Sequence, residues 1–201
     1  PVDTDKPWDV GMIIPRLYVG GLSATKYMAM LEEHKISHIL TAAGRLVVEL
    51  PEFITTDSHL VLENLADHPN ANILEYLDRA LDFLDEVLLK STSKAVLVHC
   101  ASGVSRSVAV CCAWLMTRQQ MTLVDALETV RQARPRANPN LGFIHQLTAL
   151  EESKGNITFA KQVYMSKLGD QEAITDIIQK QREAANNIHT RVDNLENMIK
   201  Q

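Results

Sequence analysis

Cys100 and Arg106 stand six residues apart, and between them runs ASGVS, Ala101 to Ser105, with no side chain larger than valine. A thiolate is a strong nucleophile, but an ordinary thiol ionises only near pH ~8.5 and needs surroundings that favour the anion. Small residues at Ala101, Ser102 and Gly103 let the backbone wrap closely, so that N–H groups through Val104 and Ser105 converge on one point. A tetrahedral oxyanion fits such a nest, and Arg106 can close it with a bidentate clamp. Ser107 adds a hydroxyl near the sulfur, where it would stabilise a departing thiolate. A thiolate, an anion nest and a fixed guanidinium describe phosphoryl transfer to cysteine, with no metal or other cofactor required.

Such a loop works only if its two ends are held. Ala95 to Val98 is a short apolar run that reads as a buried strand, and His99 follows it. From Val108, VAVCCAWLM is too long for a strand and lacks Pro and Gly, so it reads as a helix. The segment Cys100 to Ser107 therefore ends at a helix N-terminus, where free N–H groups and the dipole favour an anion.

The remaining pattern supplies a sheet. MIIPRLYVGG (Met12 to Gly21) reads as a strand pair interrupted at Pro15. Ser23 can cap a helix through about His34, and the strand ISHILTA follows. SHLVLEN (Ser58 to Asn64) alternates like a strand, and Ile73 to Lys90 has the apolar spacing of an amphipathic helix. Thr122 can cap a helix that Pro135 ends, and another helix starts near Asn140. Strands alternating with helices predict an α/β sheet covered on both faces.

HCASGVSRS (His99 to Ser107) has the His-Cys-x5-Arg-Ser form of the cysteine-dependent protein phosphatases, and it resembles an atypical member of their dual-specificity branch. AWLM after it and RPRANPNLGFIHQL (Arg134 to Leu147) are also similar to that branch. The resemblance covers roughly residues 10 to 152. It implies a central, mostly parallel sheet of about five strands flanked by helices. It also implies hydrolysis of phosphotyrosine and phosphoserine or phosphothreonine in proteins, through a phosphocysteine intermediate. The implied partner is a phosphorylated protein, with a kinase as a family-level expectation.

The resemblance extends to an acid for the leaving oxygen. The family supplies an Asp from a mobile loop about thirty residues before the nucleophile. Asp67, in NLADHPNAN, holds that position 33 residues before Cys100. Glu63 and Asp57 fit less well, one inside the strand pattern and the other before it. The alternative for Asp67 is a helix N-cap. His99 is expected to orient the loop by hydrogen bonding. Asn140 has two roles open, bracing the loop by family analogy or capping a turn by residue type. Arg134 also has two: meeting a second substrate phosphate, as in the family, or joining Arg131 and Arg136 in a solvated helix end. Cys111 and Cys112 read as core residues, with a redox partnership to Cys100 as the alternative.

Composition narrows the field further. Formal net charge is −5, and the acidic excess lies before residue 156, which argues against a nucleic-acid partner. The absence of lysine from Ala101 to Ser105 argues against polyanionic headgroups. No run reaches the ~18–20 apolar residues of a membrane span, and no signal-peptide pattern opens the chain. Three cysteines make neither a disulfide framework nor a zinc site and suit a reducing cytoplasmic or nuclear compartment. The predicted catalytic domain is residues 1–155. SKGN (Ser153 to Asn156) breaks the pattern before a helical tail, 156–201. Within it, 171–201 carry about four heptads with Ile174, Gln181, Ile188 and Leu195 at d and Ile178, Ala185, Val192 and Ile199 at a. That seam predicts a homodimer or a helical partner, with a single amphipathic helix packed on its own domain as the alternative. The rival from another functional class is a non-catalytic phosphoprotein-binding module with a scaffold helix. A phosphatase for a non-protein substrate is the third alternative.

Overall fold

The computed structural model describes residues 9–44 and 46–169. Two strands come first among the described residues, β1 (Val10–Ile14) and β2 (Leu17–Gly20), paired antiparallel across the Pro15-Arg16 turn. Helix α1 (Met28–Glu33) leads to β3 (Ile36–Thr41), and an irregular segment leads to β4 (His59–Val61). Helix α2 (Leu74–Leu88), strand β5 (Ala95–His99) and helix α3 (Arg106–Arg118) follow. Then come α4 (Leu123–Ala133), α5 (Leu141–Glu152) and α6 (Ile157–Gly169). The sheet order is β1-β2-β5-β3-β4, parallel throughout except at the β1 edge. This is the predicted five-stranded α/β architecture, with β5 at its centre.

The central strand explains the packing. All five residues of β5 are buried because both of its faces are covered, as is usual in parallel sheets. Ala95 and Leu97 turn to one face and join Tyr18, Leu31, Ile39 and Ile54. Against the opposite face lies α3, which also touches β2 and is flanked by α2, α4 and α5. Every residue from Ser107 to Thr117 is buried, so α3 is a core helix rather than an amphipathic one. Helices do lie on both faces, but unequally. The second face is covered by the short α1 and by the irregular stretch that carries Leu50 and Ile54.

Several boundaries differ from the predicted ones. Ser23 caps nothing; it lies inside a 3-10 turn, Leu22–Lys26, and α1 starts only at Met28. The β4 strand is three residues long, since the chain leaves the sheet edge after Val61. Helix α3 begins at Arg106, two residues earlier than the apolar run suggests. Lys154 and Gly155, with φ of 52° and 79°, make the turn after α5, and α6 resumes at Ile157. The chain divides into two units, residues 1–161 and 162–201. The heptads of 171–201 lie outside the described residues. Among the described residues no helix is long and apolar enough to cross a membrane.

The β1–β2 turn also finishes a helix. Arg16, at φ 73°, sends its guanidinium to the last carbonyls of α2, with Nη1 donating to Val87 O at 2.9 Å and Nη2 to Leu88 O at 2.7 Å. Those carbonyls have no intrahelical partner, and a cation suits the negative end of the dipole.

Candidate active site

Strand β5 delivers Cys100 to the carboxyl end of the sheet, where ligands of open α/β folds bind. The chain then turns sharply through Gly103, whose φ is 65°. A Cβ there would lie 2.3 Å from the Gly20 carbonyl oxygen, so only glycine fits between the loop and β2. This turn returns the Gly103 N–H to the sulfur at 3.2 Å. The Ser107 hydroxyl, from the first turn of α3, reaches the same sulfur at 3.4 Å.

From Cys100 to Val104 every carbonyl has a partner. His99 Nδ1 lies 3.2 Å from Cys100 O. The Leu22 N–H donates to Ala101 O at 3.0 Å and the Asn138 N–H to Val104 O at 2.8 Å. Ser102 O accepts from Arg134 Nη2 at 3.1 Å and Arg136 Nη2 at 2.7 Å, and Gly103 O accepts from Arg134 Nε. In a trans peptide the N–H points opposite to the C=O. Tying the carbonyls down therefore aims the amide hydrogens the other way and makes an anion nest from backbone alone.

The electrostatics follow. Cys100 is fully buried. Burial alone would raise its pKa, but the Ser107 hydroxyl, the Ser107 and Gly103 N–H groups and the Arg106 charge outweigh it, and the pKa is lowered. Arg106 donates from Nη1 to Leu65 O at 3.3 Å, and its Nε stands 3.6 Å from Asp67 Oδ2. That Nε is buried without a hydrogen-bond partner. An orphaned donor is costly unless something fills the site, and beside this nest the fitting occupant is an anion.

Asp67 lies in the loop before α2 and reaches the nest through side chains. Its Oδ1 accepts from Ser105 Oγ at 2.6 Å and from Asn140 Nδ2 at 2.9 Å. Asp67 is not the cap of α2, because that helix starts at Leu74 with Ile73 as its cap residue. Its first N–H groups go to Gln146 instead, from Ile73 at 2.7 Å and Leu74 at 3.3 Å. Gln146 Nε2 also donates to Ala71 O at 2.8 Å. Gly142 is pressed against Pro69, where a Cβ would lie 1.8 Å from the carbonyl oxygen. One helix, α5, thus holds the Asp67 loop at Asp67, Pro69 and Ala71.

Asn140 has both of the roles left open for it: its Oδ1 caps α5 through the Phe143 N–H at 3.0 Å while its Nδ2 holds Asp67. Arg134 has neither of its two. It is 3% exposed, and all its nitrogens are engaged by Asp9 and by the Ser102 and Gly103 carbonyls. No face of the guanidinium is left for a second phosphate, so the residue braces the loop. Cys111 and Cys112 are buried in α3, where burial pushes Cys111 well above the ordinary thiol range and Cys112 up to about 12. They pack as core thiols. The sequence singled out neither Gly142 and Gln146, nor Asp9, nor Thr41 behind His99. Gly142 and Gln146 lie inside a quoted segment, but nothing in residue type reveals what they touch.

The family model described as dual specificity phosphatase, catalytic domain, matches residues 17–153. Dual specificity protein phosphatase 1 of Arabidopsis thaliana is 39% identical over 137 residues, 68% of this chain and 66% of that protein. Dual specificity protein phosphatase 19 of Mus musculus is 36% identical over 146 residues, 72% of this chain and 63% of that protein. The chain thus spans just under two thirds of these two relatives. Among solved structures, DUSP15 superposes with a TM-score of 0.68 at 28% identity, covering 78% of this chain and 96% of that one. The human tyrosine phosphatase-like serine/threonine/tyrosine-interacting protein gives 0.65 at 30% identity, covering 73% and 98%.

Proposed function

The chain belongs to the dual specificity phosphatase family, and from that premise we propose that it hydrolyses phosphotyrosine and phosphoserine or phosphothreonine in proteins through a phosphocysteine. In this reading the phosphoryl group enters the nest, and the Arg106 guanidinium clamps two of its oxygens. The oxygens take N–H groups between Ala101 and Arg106 other than that of Gly103, which stays on the sulfur. Cys100 Sγ attacks phosphorus, so that an S–P bond forms as the P–O bond to the side chain breaks. Asp67, in its acid form, delivers a proton to the leaving oxygen. A water then attacks phosphorus while Asp67 takes its proton. The S–P bond breaks, and the Ser107 hydroxyl supports the returning thiolate. Ser105 and Asn140 hold the Asp67 carboxyl, and His99 holds the carbonyl of the nucleophile.

The observation that carries this reading is the buried sulfur that accepts from the Gly103 N–H and the Ser107 hydroxyl, set in a loop whose carbonyls from Cys100 to Val104 are all tied down. Neither a core cysteine nor a simple anion site needs both. The rival is a phosphoprotein-binding module without turnover, favoured by the likeness to a protein named for interaction. The presence of Cys100, Arg106 and Asp67 together weighs against it. The deciding experiment is Cys100→Ser assayed on a phosphotyrosine peptide and on a phosphothreonine peptide. Turnover is expected to vanish while tungstate binding by calorimetry persists. Wild-type protein that binds both peptides without releasing phosphate would establish the rival instead.

A further inference from the structure

Behind the nucleophile, His99 continues into a hydrogen-bonded chain whose other members the mechanism above does not use. Thr41 ends β3 and is fully buried. Its single hydroxyl lies 2.8 Å from His99 Nε2 and 2.8 Å from His59 Nε2, on the edge strand β4. The strand register explains the meeting at His99, which on β5 is the cross-strand partner of Thr41 on β3.

The polarity of this chain follows from donor counting. A carbonyl oxygen only accepts, so His99 Nδ1 carries the hydrogen directed at Cys100 O. Burial, with His59 as a lesser influence, depresses the His99 pKa to about 4 despite the bond to Cys100. The ring is therefore neutral near pH 7, with one N–H, and its Nε2 is bare and must accept. Thr41 has one hydrogen and gives it to His99 Nε2. Its oxygen then faces His59 Nε2 as an acceptor, which requires a hydrogen on that nitrogen. The two histidines are thereby held in opposite tautomers, His59 protonated at Nε2 and His99 at Nδ1.

We propose that Thr41 and His59 are positioning residues for the Cys100 loop, acting through His99, a role that rests on Cys100 being the nucleophile. His99 is anchored at both ring nitrogens, and one anchor is the carbonyl of the nucleophile itself. Holding that carbonyl turns the Ala101 N–H away from His99. Release of the Thr41 end lets the ring tilt, loosens the Cys100–Ala101 peptide and disperses the donors that lower the thiol pKa. Burial of Thr41 makes the loss costly, because a bare imidazole nitrogen is left without its donor.

The test uses the full chain labelled with 15N-histidine and long-range 1H–15N correlation near pH 7.5. The expected wild-type pattern is His59 with Nε2 protonated and His99 with Nδ1 protonated. Thr41→Val should move His99 Nε2 to the position of a bare nitrogen without a hydrogen bond. It should also move the pH midpoint of Cys100 alkylation by iodoacetate upward and lower kcat about tenfold, the scale of one lost buried hydrogen bond. Thr41→Ser should restore all three, and His59→Phe should act in the same direction with about a threefold loss. Equal tautomers in the two histidines, or an unchanged alkylation profile in Thr41→Val, would overturn the proposal. If Thr41→Val does not fold, the wild-type tautomers and the His59→Phe alkylation profile carry the same decision. Turnover surviving in Cys100→Ser would defeat the nucleophile reading separately, since the tautomers can be read in that variant as well.

Discussion

The loop that carries Cys100 and the loop that carries Asp67 meet at Ser105 and Arg106, yet they are held by different means. The Cys100 loop is tied through its backbone: its carbonyls accept from His99, Leu22, Arg134, Arg136 and Asn138. The Asp67 loop is tied mainly through side chains of one helix, with Asn140 and Gln146 as donors and acceptors and Gly142 as a steric stop. Such a cradle tolerates changes to its own side chains so long as the donors to its carbonyls stay put. A loop hung on two side chains, Asn140 and Gln146, and on the close approach of Gly142 does not. The nucleophile should therefore be the more robust of the two functions, and the acid the more easily lost.

The largest effect that would test this contrast is Asp67→Asn. Loss of the acid should slow substrates with poor leaving groups by about 10²-fold or more, while aryl phosphates that leave without protonation suffer much less. Cys100 alkylation should stay near wild type, since the cradle does not depend on the carboxyl. A uniform loss over all leaving groups would erase the distinction between the loops.

Gly142→Ala sharpens it. The added methyl meets the Pro69 carbonyl and must displace the Asp67 loop without touching the Cys100 cradle. About a tenfold loss confined to poor leaving groups is expected, because small misplacements of a reacting group are expensive. A stability loss of about 1–3 kcal/mol should accompany it, as for other overpacked sites. Kinetics on a leaving-group series, together with a thermal melt, measure both.

The smallest effect belongs to the second layer of the cradle. Asp9 lies beneath Arg134 and Arg136. Burial tends to raise its pKa, but the bonds and charges of Arg134 and then Arg136 outweigh that and hold it below the ordinary 3.8. Because the folded value is the lower one, the stabilisation is fully present above pH 3.8 and is lost as pH falls through the folded value. Asp9→Asn should therefore lower Tm slightly at neutral pH and bring the two proteins together in acid. Partial exposure keeps the effect small. Turnover should fall only two- to threefold, roughly the scale of one partly exposed contact, since Arg134 keeps its bonds to the loop carbonyls. A Tm difference that persists unchanged at pH 3 would show that Asp9 acts by packing and not by charge.

The residues alone determined much of this molecule. An apolar run of strand length, a small-residue loop and an apolar run of helix length are consecutive in the chain. Their order therefore places a cysteine at the mouth of a sheet and an arginine at a helix start. Periodicity likewise reports α2, and Thr122 and Asn140 show as caps, because capping is a matter of residues three apart. Only the tertiary structure decided which distant groups meet. Arg134 reads as a surface or phosphate-binding cation until Asp9 and two loop carbonyls are found around it, 125 and about thirty residues away. Gln146 caps a helix 73 residues earlier, and Thr41 stands between two histidines from separate strands. Local patterns are written by backbone sterics and burial period, which act over a few neighbours. The pairing of buried polar groups depends on how the layers stack, and the same arginine, glutamine or threonine is consistent with many partners until they do.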